Sequence, residues 1–249
     1  MAPWSAMRSS PTARSGITGI SIIQLLATWC LALALIAGLT HSYKLLAAIG
    51  AVVGVGVLVA TLLILWWLQR HDRGAAPGSP DARRREQAIR VGLICGLLWV
   101  VEISVNNFLA PPLPGRDWFD DVIWAAASVL ILAGAAHAAY RGRRIRIGIR
   151  FGAWSGLASG MVACAMALSI VVFGMSFLVA DPLNVREWAE RGAASGAPSI
   201  AEYVAFETFA GAFAHLLVVG LAMSTVLGAL GGLIGAALAW LRTRTSATR

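Results

Sequence analysis

Hydrophobic positions along this chain fall in long unbroken runs, and the polar positions collect in short segments between them. Apolar runs of about eighteen residues or more are the length a helix needs to cross a bilayer. The pattern predicts six such helices, over about 20–39, 46–68, 88–109, 118–140, 147–178 and 206–241, in one integral membrane domain spanning residues 1–249. The expected fold is therefore all-α: a polytopic six-helix bundle built of three helical hairpins.

The segments between the runs carry turn and cap signals. Trp66 and Trp67 close the second run at interface depth. Gly, Pro and charged residues make 70–87 a flexible loop, with at most one helical turn at its end. PPLPG, Pro111 to Gly115, ends the third helix because successive prolines cannot supply helix hydrogen bonds. Asp117 then reads as the cap of the fourth helix, with Asp120 and Asp121 in its first turn. After the fifth run, Asp181, Pro182 and Gly192 punctuate a short interfacial helix over about 182–191, and Ser199 to Glu202 form a capping box. The last run, from Ile200 to Leu241, is about 60 Å of helix, twice the hydrocarbon thickness, so its first turns project outward or it bends near Gly211 or Gly220.

Composition agrees: 58% of residues are hydrophobic, 13% are charged, and the mean hydropathy is +0.74. The formal charge of +8 raises nucleic acid as a partner. The distribution of the charge argues against it, because 16 of the 20 basic residues sit in the N-terminus, the C-terminus and two of the five connections. That is the positive-inside pattern, and it places both termini in the cytoplasm, in a membrane read as a bacterial plasma membrane. The arginine clusters also suit anionic lipid. Cys30, Cys95 and Cys164 all lie within apolar runs without a Cys-x-x-Cys pair, so they read as small packing residues and not as metal or redox groups. No cofactor is predicted.

Residues 83–97, RRREQAIRVGLICGL, and 143–157, RRIRIGIRFGAWSGL, are identical at seven of fifteen positions. The third and fifth helices therefore read as copies that enter the membrane in the same direction. Glycines recur at four-residue spacing, as in Gly92/Gly96, Gly152/Gly156/Gly160 and Gly228/Gly232, which lets two helix backbones approach closely in lipid.

The candidate chemistry lies in RVGLICGLLWVVEISVNN, residues 90–107, where a carboxylate, Glu102, interrupts an apolar run. With Arg90 as the edge, Glu102 lies about 18 Å into a layer of about 30 Å, and Asn106 lies one turn above on the same face. A charge at that depth costs about 3 kcal/mol on the insertion scale, so Glu102 is expected to face the bundle interior. Thr28 and Ser128 fall at its level and, with Gln24 and Ser224 slightly off it, are expected to complete a polar layer. His215, counted back about 40 Å from Arg242, falls too far out to join them, and His137 reads as an interface residue. GLASG, residues 156–160, with His215 is a partial match to the membrane serine and histidine of rhomboid proteases. Leu157 stands where that motif has glycine, and the same depth count separates Ser159 from His215, so no catalytic pair is expected.

The sequence therefore points to a non-catalytic scaffold or accessory subunit whose partner is another protein or a second copy. The alternative is a small proton- or cation-coupled transporter with Glu102 and Asn106 as binding groups.

Overall fold

The computed structural model describes residues 19–41, 49–71, 79–109 and 116–247. It is 95% helical, with no strand among the described residues. The helices are α1 (Gly19–Thr40), α2 (Ile49–His71), α3 (Pro80–Ser104), α4 (Arg116–Gly142), α5 (Ile145–Phe173), α6 (Met175–Ala180), α7 (Pro182–Glu187), α8 (Ala193–Ser195), α9 (Ile200–Ala214) and α10 (Ser224–Ala247). Five helices are long and apolar enough to cross a membrane: Gly19–Thr40, Pro80–Phe108, Trp118–Gly142, Ile145–Phe173 and Ile200–Thr245. The chain is a helical membrane protein. In α2 the apolar stretch among the described residues is shorter, Val52–Trp67. The polar N-terminus, the turn after His41, residues 72–78 and the PPLPG segment lie outside the described residues.

Several boundaries differ from the sequence pattern for identifiable reasons. The expected loop over 70–87 gives way to helix at Pro80, because Ser79 Oγ accepts from Ala82 N–H at 3.3 Å, proline takes the first helical position and Asp81 sits in the first turn. α4 begins at Arg116, which puts Asp117 inside the helix and not at its cap. The over-long fifth run breaks at Gly174, leaving α6 as a separate segment. Asp181 caps α7 as its position suggested, accepting from Leu183 N–H at 2.9 Å. The interfacial segment does not stop at Gly192: a π-helical turn, Trp188–Gly192, leads into α8, which ends at Gly196 with φ 75°. Glycine is the residue that adopts that left-handed backbone without a Cβ penalty. On α7 the Arg186 guanidinium, 2.9 Å from Glu190, holds that carboxyl below its usual range.

The last long helix passes through a nine-residue π-helical segment, His215–Met223, between α9 and α10. Gly220 lies within this segment, whose wider turns absorb extra residues without ending the helix.

α5 is the centre of the bundle, with 67% of its membrane-length window buried. It runs parallel to α3, with Gly92 against Ser155 and Ala158 and Gly96 against Val162. The two halves of the sequence repeat are thus direct neighbours running the same way. On another face α5 meets the last long helix in antiparallel fashion, backbone against backbone: Gly148 at Gly228 and Gly232, Gly152 at Ser224 and Gly228, and Gly160 at Leu216 and Gly220. α10 packs on α4 through Gly231 and Gly235. α1, α2 and α9 complete a second side, where the ring of buried Phe213 fills the space left by Gly54. The three cysteines are free and buried, as packing residues should be.

The bundle has two chemically distinct ends. The starts of α1 and α3 meet where Gly19 N–H donates to Glu86 Oε2 at 3.0 Å, and Arg242 donates to the Tyr140 hydroxyl at 2.6 Å. That end carries the arginine clusters. At the other end lie Asp120, Asp181 and a His41–Glu202 pair at 3.3 Å.

The seam between α5 and the last helix is the least forgiving contact. A Cβ on Gly156 would collide with the Gly220 carbonyl and lie 2.5 Å from the Ser224 Cβ, whereas one on Gly38 would meet nothing within 4 Å. Gly156→Val should destabilise the detergent-solubilised protein by about 3 kcal/mol, and Gly38→Val by less than about 0.5 kcal/mol, read from thermal unfolding midpoints. Equal midpoints for the two variants would show that the seam does not hold the bundle together.

Candidate functional site

The last turn of α3 carries the polar groups that the sequence singled out. Glu102 is 9% exposed and Asn106 is 8% exposed. Asn106 Nδ2 donates to Glu102 Oε1 at 2.7 Å, so the pair meets as the four-residue spacing predicts. The same nitrogen donates to Asp120 Oδ1 of α4 at 3.2 Å. One amide therefore separates two carboxylates contributed by adjacent antiparallel helices. The backbone here winds as a π-helical turn, Val105–Leu109, and Asn107 Nδ2 bonds the Ile103 carbonyl at 2.7 Å. Asn106 Oδ1 points into the interior with no hydrogen-bond partner among the described residues. A buried acceptor left so costs about 1–3 kcal/mol, and it marks a place that a proton donor, a water or a cation would satisfy.

Asp120, in the first turns of α4, is a contact of Asn106, so the trio lies toward the acidic end of the bundle. α3 begins at Pro80, ten residues or about 15 Å before Arg90.

One turn deeper, Trp99 organises a second polar group. Its Nε1–H donates to Ser159 Oγ at 3.0 Å, its ring meets Trp124 edge-on at 4.9 Å, and it lies 5.9 Å from the His215 ring. Sequence depth had removed His215 from this neighbourhood, and the structure returns it. The count failed because Arg90 and Arg242, taken as marks of one level, stand at different heights along the bundle. Gly232 already faces Ile145, the first residue of α5, and ten further residues, about 15 Å, separate it from Arg242. Ser159 and His215 are thus close in level, but Ser159 bonds Trp99, and His215 Nδ1 lies 3.0 Å from its own Gly211 carbonyl.

Ser128 and Ser224 line a cleft of about 20 Å³ together with Trp99, Trp124 and Ser159. That is room for about one water molecule. Ser128 accordingly belongs to this deeper group, two turns from Asp120. Thr28 does not join either group: it is exposed, bonds the Gln24 carbonyl at 2.9 Å, and lies with Gln24 in an open groove between α1 and α2. His137 is exposed near the arginine end, as an interface residue should be. The sequence pattern missed Trp99 and Asp120 as site members. The signal for Asp120 was its position at the start of the helix that pairs with α3.

Among the described residues no group of three or more His, Cys, Asp or Glu side chains is placed to hold a metal. The oxygen set of Glu102, Asp120 and Asn106 is smaller and harder: two carboxylates and an amide that presents either its nitrogen or its oxygen. Such a set suits a proton or an alkali or alkaline-earth cation better than a transition metal.

The amide's role as a spacer sets its substitution pattern. Asn106→Ala loses two hydrogen bonds to carboxylates and should cost about 3 kcal/mol. Asn106→Asp puts a third carboxyl between two others and should cost more, with sodium or calcium ions recovering part of the loss in thermal unfolding. If Asn106→Asp proves as stable as wild type without added cation, the amide does not hold the carboxylates apart. Comparison with protein families, with curated proteins and with solved structures finds no match to this chain.

Proposed function

We propose that the chain is a non-catalytic, six-span scaffold or accessory subunit of a bacterial plasma membrane, with α2 as the sixth span and both termini on the cytoplasmic, arginine-rich side. Its task is to hold the membrane-spanning helix of a partner protein. The observation that carries this is the groove of about 570 Å³ between α1 and α2, lined by Ser21, Gln24, Leu25, Thr28, Leu62, Leu63 and Trp66. Small, hydroxyl and amide side chains are what membrane helices present to one another, while side chains turned to acyl chains are ordinarily apolar. Between α3, α5 and the last long helix the contacts are closed by glycine seams, which favours a static bundle.

A small cation-coupled transporter is the alternative, favoured by the Glu102, Asn106 and Asp120 cluster at the acidic end. Stabilisation of the wild type by sodium or calcium that is lost in Glu102→Gln speaks for that alternative, and its absence speaks against it.

Orientation is tested by single cysteines in a protein whose three native cysteines are replaced by alanine. A membrane-impermeant maleimide should label Ser199→Cys in intact spheroplasts and Thr243→Cys only after lysis; the reverse result overturns the orientation. The groove is tested by a photoreactive side chain at Leu25 or Leu63 in native membranes, with exposed Val129 on α4 as the control. A single protein adduct at the two groove positions, lost when Thr28 is changed to Phe, is expected. Adducts with lipid alone at all three positions would remove the scaffold assignment.

A further inference from the structure

The groove between α1 and α2 is one end of a longer open face. Its lining comes from the start of α1, with Ser21, Gln24 and Thr28, and from the end of α2, with Leu63 and Trp66, so the two helices run antiparallel. Helix periodicity carries the same face onward past the groove. On α1, Leu35 stands two turns beyond Thr28 and is 61% exposed, and Leu39 follows one turn later at 88%. On α2, Val59, Gly56 and Val52 lie one, two and three turns before Leu63, and all three are exposed. From Ser21 to Leu39 the face measures about 27 Å along the helix axis, close to a hydrocarbon thickness of about 30 Å. Those are the dimensions of one membrane-spanning helix laid alongside.

The two halves of this face differ in chemistry. In the half toward the arginine end, exposed Thr28 uses its hydroxyl proton on the Gln24 carbonyl at 2.9 Å, which leaves the hydroxyl oxygen as an acceptor on the open face. Acyl chains have no donor to offer it, whereas amide and hydroxyl side chains bond across membrane helices. In the other half the feature is a missing side chain: a Cβ on Gly56 would meet nothing within 4 Å. Gly56 lies two turns before Leu63, and Leu35 two turns after Thr28, so in antiparallel helices they share a level. An open stretch of α2 backbone therefore stands beside an exposed leucine, with room for a large side chain from a neighbour.

We propose that the partner helix is recognised by an amide or hydroxyl donor facing Thr28 and, about 10 Å further along, by a large apolar side chain seated over Gly56. The proposal rests on the scaffold reading, because it names what the helix held in the groove carries. Thr28 selects the partner by its donor, and Gly56 lets the two backbones approach closely enough to gain dispersion contacts.

The test uses the full chain in lipid nanodiscs and two designed membrane-spanning helices of leucine and alanine, with binding read by energy transfer. One helix carries a glutamine two turns from a phenylalanine; the second has leucine in place of the glutamine. The glutamine helix should bind wild type about fivefold more tightly than the leucine helix. Thr28→Val, of the same shape, should reduce the glutamine helix to the affinity of the leucine helix and leave the latter unchanged, and Thr28→Ser should retain the preference. Gly56→Leu should weaken both helices by filling the notch. The proposal is overturned if the two helices bind wild type equally, or if the preference for glutamine persists in Thr28→Val. Equal binding leaves the scaffold reading standing and removes only this mode of recognition. Binding of neither helix, with lipid adducts alone at Leu25 and Leu63, overturns both.

Discussion

The contact on which the rest of the molecule depends is the backbone-to-backbone seam along α5. In lipid, apolar side chains gain little by leaving their surroundings for one another, so helix association rests on dispersion contacts and on the few hydrogen bonds available. Dispersion falls off steeply with distance, and a Cβ at each contact would hold the axes apart. Gly148, Gly152, Gly156 and Gly160 remove that spacer on the face toward the last long helix, while Gly92 and Gly96 remove it from α3 where it meets α5. The seams fix the levels at which the other side chains meet. Trp99 reaches Ser159, and His215 comes alongside Trp99, because the helices can slide neither outward nor along one another.

Close packing at the centre also decides where polar groups can go. A bundle held by glycines has little interior volume, and the deeper polar cleft has room for about one water. Hydroxyls inside it are accordingly tied down: Ser155 bonds the Phe151 carbonyl at 2.8 Å, and Ser159 receives the Trp99 N–H. The larger spaces lie at the edges, in the α1–α2 groove and in a cavity at the starts of α3 and α5. Open space among the described residues is therefore peripheral. The Glu102 cluster is the exception, sitting where α3 winds out of regular helix near the acidic end and the seams have run out.

Apolar run length made the helical class legible, because an apolar rod of that length has one stable environment. Cap chemistry made Asp181 and Ser199 legible, since each acts on residues two or three positions away. The same chemistry at Ser79, Pro80 and Asp81 was present but was outweighed by the charge of the segment that follows. Levels between helices were not legible. Arginine marks the membrane edge only loosely: its long side chain reaches the interface from several depths, and a helix can continue past it into water. Measuring Glu102 from Arg90 and His215 from Arg242 used two marks at different heights, so His215 was placed beyond the layer although it lies beside Trp99, one turn from Glu102. The i, i+4 pairing of Glu102 with Asn106 survived because it lies within one helix and needs no such mark.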